Sequence, residues 1–316
     1  MSQEPNAELR EFLRSRRAKI TPDQAGLPPQ PGGRRVPGLR REEVAQLAGV
    51  SVDYYIRLER GRHSHVSESV LDAIARALRL NDLERAHLFQ IARPSSARPR
   101  SLPPQHLRPG LQLMVDTLID VPVVVVGRRL DVLASNRLAR ALYTDFEALP
   151  AANRNMARLI FLDQKVRALF ADWEENARGT VAALRLYAGR QPHDPALAEL
   201  VAELSLHDPD FRRWWADHDV SQRTHGMKRF RHTLIGDLVL GYETFTATDD
   251  PYQMLGIYTA EPGSTSADRL KLLASWSATA HQTVTTTAPS EGPRPEYRGG
   301  ATSSGDLANT HPPLSG

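Results

Sequence analysis

The sequence predicts a multidomain chain, an all-α domain followed by an α+β domain, on three observations. Its 316 residues are too many for one small module and suit two domains. Residues 39–92 carry short helical patterns only, whereas the chain beyond residue 120 mixes β-rich runs such as VPVVVV and LVLGYETF with helical ones. Between them lies RPSSARPRSLPPQHLRP, residues 93–109, stiffened by five prolines and charged only through arginine. The expected limits are a helical domain over 1–93, a Pro/Arg-rich linker over 94–109, an α+β domain over 110–280 and a disordered tail over 281–316.

Leu9, Phe12 and Leu13, followed by Arg16 and Arg17, mark an amphipathic first helix with a basic end. Residues 21–38, TPDQAGLPPQPGGRRVPG, must form a loop because of their Pro and Gly content. Four short helices follow as far as Ala92. Ser51 suits the N-cap of the second, Ser67 that of the third, and Asn81 or Asp82 that of the fourth, since a short side-chain oxygen accepts from first-turn amides. In the second domain residues 121–136 read as two strands around a Gly127-Arg128 turn, and Asn136 opens a helix through Leu138, Ala139 and Leu142. A helical middle from about Asn155 to His218 precedes strands within 228–260, with Gly236-Asp237 at a turn. A last helix over 267–280 leads into a tail with few apolar residues to bury.

Composition excludes several classes of chemistry. There is no cysteine, so a disulfide framework, a thiolate zinc site, an iron–sulfur cluster and a cysteine nucleophile are ruled out. No apolar run approaches the roughly 20 residues of a membrane helix, and the N-terminus lacks signal-peptide order, so a cytoplasmic protein without membrane association is expected. Charge is divided unevenly. Residues 1–100 hold 18 Lys and Arg against 12 Asp and Glu, whereas the remainder holds 22 against 25. A basic N-terminal third suggests an anionic polymer bound at that end, although a solvated basic surface would look the same.

The segment LRREEVAQLAGVSVDYYIRLERGR, residues 39–62, is the most informative. Val44, Ala45, Leu47 and Ala48 give one helix an inner face, Gly49 supplies the left-handed turn that ends it, and Ser51 caps the next helix. Tyr55 or Ile56 and Leu58 then point inward, leaving Val52, Asp53, Tyr54 and Arg57 outward. This is the geometry of a helix-turn-helix, in which a tight corner lets the second helix enter a major groove of double-stranded DNA. Arg40, Arg41, Arg60 and Arg62 surround it and suit phosphates. An ordinary helical hairpin is the alternative. The stretch resembles the Xre, lambda repressor-like class, a resemblance that places Arg41 at the start of the first motif helix. Ser51, Val52, Asp53 and Tyr54 fall at the groove-facing start of the second. Val52 offers only a thymine methyl contact, and Asp53 can accept from cytosine or orient Arg57, so no base code is legible.

The resemblance continues through VLDAIARALRLNDLERAHLF, VGRRLDVLASNRLARAL, FRRWWADHDV and KRFRHTLIGDLVLGYETF with YTAEPG. These motifs, in this order, resemble the MmyB-like regulators over about residues 7–276. The resemblance implies an all-α lambda repressor-like helix-turn-helix domain plus an α+β PAS-like ligand-binding domain, and a fatty acid or similar amphiphile as ligand. Transcription regulation is the function it implies; with no phosphate-binding glycine loop, nucleophile elbow or metalloprotease helix in the sequence, neither enzymatic activity nor a cofactor is expected.

The residues of the second domain permit a cavity under an apolar sheet face. Val123, Val125, Leu133, Phe161, Trp214 and Tyr242 are among the candidate walls, or simply core. For a carboxylate headgroup, Asn155 and Arg158 are the first choice of anchor and Arg231 or His232 the second. Three His-Asp pairs, at 193–194, 207–208 and 218–219, invite a metal-hydrolase reading. Pro195 and Pro209 give the first two a plainer reading as helix starts. His63-x-His65 resembles a metal pair but stands beside Arg62. Two half-sites read by a homodimer are expected, since one such unit contacts few base pairs. A constitutive DNA-binding regulator, its C-terminal domain serving dimerisation or a protein partner, is the alternative.

Overall fold

The N-terminal helices are α1 (Ala7–Lys19), α2 (Arg41–Ala48), α3 (Val52–Glu59), α4 (Glu68–Ala77) and α5 (Asp82–Ala92). The computed structural model describes residues 6–28, 38–62, 66–92, 102–222 and 224–286. Half of the linker, His63-x-His65 and nearly all of the tail lie outside them. Local chemistry sets the helix ends. The Ser51 hydroxyl accepts from the Tyr54 amide at 3.1 Å and the Ser67 hydroxyl from Val70 at 3.4 Å. Asn81 Oδ1 accepts from the Glu84 amide at 2.9 Å while Glu84 reaches back to the Asn81 amide at 3.0 Å, a reciprocal capping box. Gly49, at φ +66°, closes α2 in the left-handed region that a Cβ disfavours. Phe12, Leu13, Val44, Tyr55, Leu58 and Ile74 meet in one apolar core.

The second portion begins with α6 (Pro109–Thr117), a helix the sequence reading leaves inside and just beyond the linker. Its apolar face is only two turns long, too short to stand out as a periodic pattern. There follow β1 (Val123–Val126), β2 (Val132–Ser135), α7 (Arg137–Leu142), α8 (Met156–Leu162), α9 (Gln164–Leu169) and α10 (Trp173–Arg190). After α11 (Pro195–His207) and α12 (Pro209–Ala216) come β3 (His225–His232), β4 (Gly236–Thr246), β5 (Met254–Thr259) and α13 (Thr265–Thr286). The strands form one antiparallel sheet in the order β2-β1-β5-β4-β3, with α7 to α12 inserted between β2 and β3. This is an α+β domain of the expected PAS-like kind. The β3–β4 turn falls at residues 233–235, and Gly236 at φ +76° leads into β4 rather than standing within the turn.

Alternation along the strands assigns the two sheet faces. Val123, Val125 and Leu255 face Val115 of α6, whereas Val124, Tyr242 and Tyr258 face the inserted helices. Val123, Val125 and Leu133, read from sequence as candidate cavity walls, therefore sit on the α6 side. Both portions belong to one compact unit, Met1–Ala278. Leu186 of α10 and Val220 are part of the same apolar cluster as the N-terminal helices.

Candidate functional site

Two sites emerge. The first is the exposed start of α3, where Ser51, Val52, Asp53 and Arg57 face solvent and Tyr54 is half-buried beside them. Tyr55 and Leu58 point into the core, as the pattern requires, and Ile56 is only partly covered. Arg60 and Arg62 are exposed past the helix end. Arg40 stands at the N-cap of α2, its amide donating to Glu43 Oε2 at 2.6 Å. Beneath this surface lies a residue that the sequence reading passed over. Glu59, 2% exposed, accepts from Arg17 Nε at 2.6 Å with one oxygen and from Arg41 Nε with the other. Arg17 also donates to the Leu39 carbonyl at 2.8 Å. One carboxylate thus ties α1, α2 and α3 together and holds Arg41 at the head of the motif. Arg10, Arg14, Arg17, Arg41 and Arg60 line one cleft there, so the basic rim includes α1. A lone acidic residue inside RLERGR was the available signal.

The second site is a cavity of about 260 Å³ between the helix-facing side of the sheet and α10. Val124, Val126, Met254, Gly256 and Tyr258 form its floor; Asn176, Gly179, Thr180, Ala183 and Tyr187 form its roof. This volume is just below the range of about 300–1,000 Å³ typical of drug-sized sites and suits a slim occupant. Lys228 of β3 projects into it. Its ammonium lies 4.9 Å from the Tyr242 ring centre, 5.5 Å from Tyr258 and 5.8 Å from Phe170, and donates to the Tyr258 hydroxyl at 3.5 Å. Three aromatic faces therefore hold a cation against an apolar chamber.

Of the sequence-selected wall residues, Leu184 and Tyr242 are on this lining; the candidate anchors and the remaining residues named above are placed differently. Asn155 is buried as the N-cap of α8. Its side-chain Oδ1 accepts from the Ala157 and Arg158 amides at 3.0 and 3.1 Å, and its Nδ2 donates to the Arg129 carbonyl and Asp131 at 2.8 Å each. Arg158 turns to α11, donating to Glu203 at 2.8 Å and to the Ala152 carbonyl at 2.7 Å. Phe161 and Trp214 pack in the core, with the Phe161 ring 5.1 Å from Phe211 and 6.3 Å from Trp214. Arg231 is on the outer face of β3, because one residue's difference in a strand reverses the side chain; Lys228, three residues earlier, has the inward parity. The signal was available in the alternation of KRFRH. His232 is buried, its Nε2 3.0 Å from the Ala141 carbonyl.

Two of the three His-Asp pairs act as helix starts. Asp194 caps α11, accepting from Ala196 at 3.1 Å, and Asp208 caps α12, accepting from Phe211 at 2.7 Å. Burial alone would raise the Asp194 carboxyl, but hydrogen bonds from Tyr187 and Arg129 hold it below the usual carboxylate range. Among the described residues, no helix is long and apolar enough to cross a membrane.

The chain matches two families. Residues 107–273, more than half of its length, match the profile described as the MmyB-like transcription regulator ligand binding domain. The chain belongs to the MmyB-like transcription regulators. Residues 8–88 of this MmyB-like regulator match a helix-turn-helix domain family, which covers α1 to α4 and most of α5. No curated protein sequence matches the chain. The regulator therefore joins a DNA-binding domain to a ligand-binding domain, and the cavity under α10 lies within the residues matched by the latter.

Proposed function

We propose that this MmyB-like regulator is a cytoplasmic, sequence-specific transcription factor, not an enzyme, whose α+β domain senses an acidic amphiphile such as a fatty acid. The observation that carries the ligand class is Lys228, a cation held by aromatic rings on the lining of a largely apolar cavity. Each buried methylene contributes about 0.8 kcal/mol, so an acyl chain supplies affinity and a charged anchor fixes its direction. Lys228→Met should weaken dodecanoate binding to delipidated protein about 10–100-fold, as expected for a lost charge-assisted hydrogen bond, and leave 1-dodecanol nearly unaffected. Isothermal calorimetry measures both; equal losses for acid and alcohol would remove Lys228 as the headgroup anchor. A wild-type protein that binds no acyl chain, and carries none when purified, would favour the constitutive regulator.

On the DNA side, a homodimer reading two half-sites about 10 bp apart, or a multiple of that, fits a single exposed reading helix per chain. Arg40, Arg41, Arg57, Arg60 and Arg62 serve phosphates, while Val52, Asp53 and Tyr54 face the base edges. Arg40→Ala or Arg62→Ala should lower affinity alike on all duplexes and reduce the salt slope by about one. Val52 or Tyr54 substitutions should instead change the selected sequence, by about 1–3 kcal/mol per lost base contact. Selection from a random duplex pool separates the two, and unchanged preferences for the Val52 and Tyr54 variants would move the reading surface elsewhere.

A further inference from the structure

α10 is buried nearly all round from Thr180 to Gly189, because different domains cover its opposite sides. Asn176, Gly179, Ala183 and Tyr187, at helical spacing, line the cavity. Arg185 and Gly189, four apart, meet the N-terminal helices instead. The Gly189 backbone lies so close to α5 that a Cβ there would stand 2.4 Å from His87 Cε1 and 3.2 Å from Ile91 Cγ2. Arg185, 4% exposed, donates to both oxygens of Glu8 on α1 at 3.1 and 3.0 Å and to the Trp215 carbonyl at 3.0 Å. Leu186 does both, lining the cavity and joining the apolar cluster of the helix-turn-helix domain.

The third His-Asp pair completes this joint. His218, at φ +52°, places its ring Nδ1 3.6 Å from Glu8. Its carbonyl accepts from Arg16 of α1 at 2.7 Å, and Asp219 accepts from Arg16 at 2.6 Å and also from Lys19. Arg16 in turn donates to Glu84 of α5 at 2.5 Å. Burial pushes the His87 ring down to about 4, against opposing Glu8 and with Arg185, His218 and Arg16 nearby, so it is neutral at pH 7. The joint is thus an interlocked set of charges around the buried Arg16 and Arg185, a geometry that tolerates discrete arrangements better than gradual sliding. Val52, Asp53 and Arg57 remain exposed, so the joint leaves the reading end of α3 open.

We propose that α10 is the mechanical link between cavity and DNA-binding domain, its Arg185–Glu8 pair and its Gly189–His87 contact carrying cavity occupancy to α1 and α5. This rests on the ligand-sensing reading above for the nature of the input. An occupant that shifts α10 alters the seat of α1 and α5, and linkage requires DNA and ligand to change each other's affinity by one common factor.

Glu8→Gln and Gly189→Ala test this in the full-length chain, since neither residue is itself part of the cavity lining or of the exposed end of α3. The probes are dodecanoate and a duplex selected by the wild-type protein from a random pool. Both variants should bind dodecanoate within about threefold of wild type. They should shift the DNA affinity of the acyl-free protein, and the dodecanoate effect on DNA binding, about 5–150-fold in wild type, should collapse towards one. Hydrogen exchange in α1 and α5 should respond to dodecanoate in wild type only. Variants that expose α1 and α5 to exchange yet keep the wild-type DNA affinity and dodecanoate ratio would overturn the link. If wild type binds no dodecanoate, a DNA affinity changed by both variants sustains the joint while the ligand reading falls. If neither dodecanoate binding nor an altered DNA affinity is found, both fall.

Discussion

Replacing Glu59 by alanine will destabilise the helix-turn-helix domain by about 3 kcal/mol and weaken binding to every duplex tested. The carboxylate is buried and bridges Arg17 and Arg41, whose side chains are 15% and 45% exposed. Removing one member of a buried pair leaves an uncompensated charge, at a cost of about 3–5 kcal/mol. The half-exposed Arg41 can turn to water, which places the loss at the lower end of that range. Arg17 has less freedom, being held also by the Leu39 carbonyl. Hydrogen exchange of α2 and α3 amides in the full chain measures the loss. The Gln variant, which keeps the shape but not the charge, should fall between alanine and wild type. Exchange within 1 kcal/mol of wild type for the alanine variant would show that the fork adds little to stability.

Phe161→Ala will destabilise the α+β domain by about 3–5 kcal/mol without removing a ligand contact. Phe161 is 3% exposed and its ring stands edge-on to Phe211 at 5.1 Å and to Trp173 at 5.9 Å. Such pairs add about 0.5–1.5 kcal/mol each beyond the area they bury. Denaturant unfolding should show the loss, while dodecanoate affinity measured well below the unfolding transition should remain close to wild type. A normal unfolding midpoint with weakened dodecanoate binding would put Phe161 on the ligand after all.

Sequence patterns of short range were legible with little error. Gly49 and Ser51 mark the corner of the motif because positive φ and first-turn amides are satisfied locally, by the residue itself or one three positions away. Asp194-Pro195 and Asp208-Pro209 identify helix starts for the same reason. The α+β class was readable from strand and helix periodicities on the two sides of the long helical insertion. Partial failure came with α6, whose two-turn face is too short for periodicity to separate it from a proline-rich linker.

The ligand residues show where local reading stops. An arginine beside an apolar run, such as Arg158, has the right chemistry for a carboxylate, yet Glu203, forty-five positions away, takes it. Arg231 and Lys228 differ only in strand parity, and parity becomes a direction only when the sheet is packed under α10. The sequence alone therefore determined the two domain types, the helix caps and the corner of the helix-turn-helix, the last two set within a few residues. Tertiary structure alone decided that Lys228 faces the cavity among aromatic rings, that Glu59 braces Arg17 and Arg41, and that Arg185 meets Glu8 across 177 positions. Those contacts depend on partners remote in the chain, whose pairing costs loop entropy and is selected only by the collective burial of the folded core.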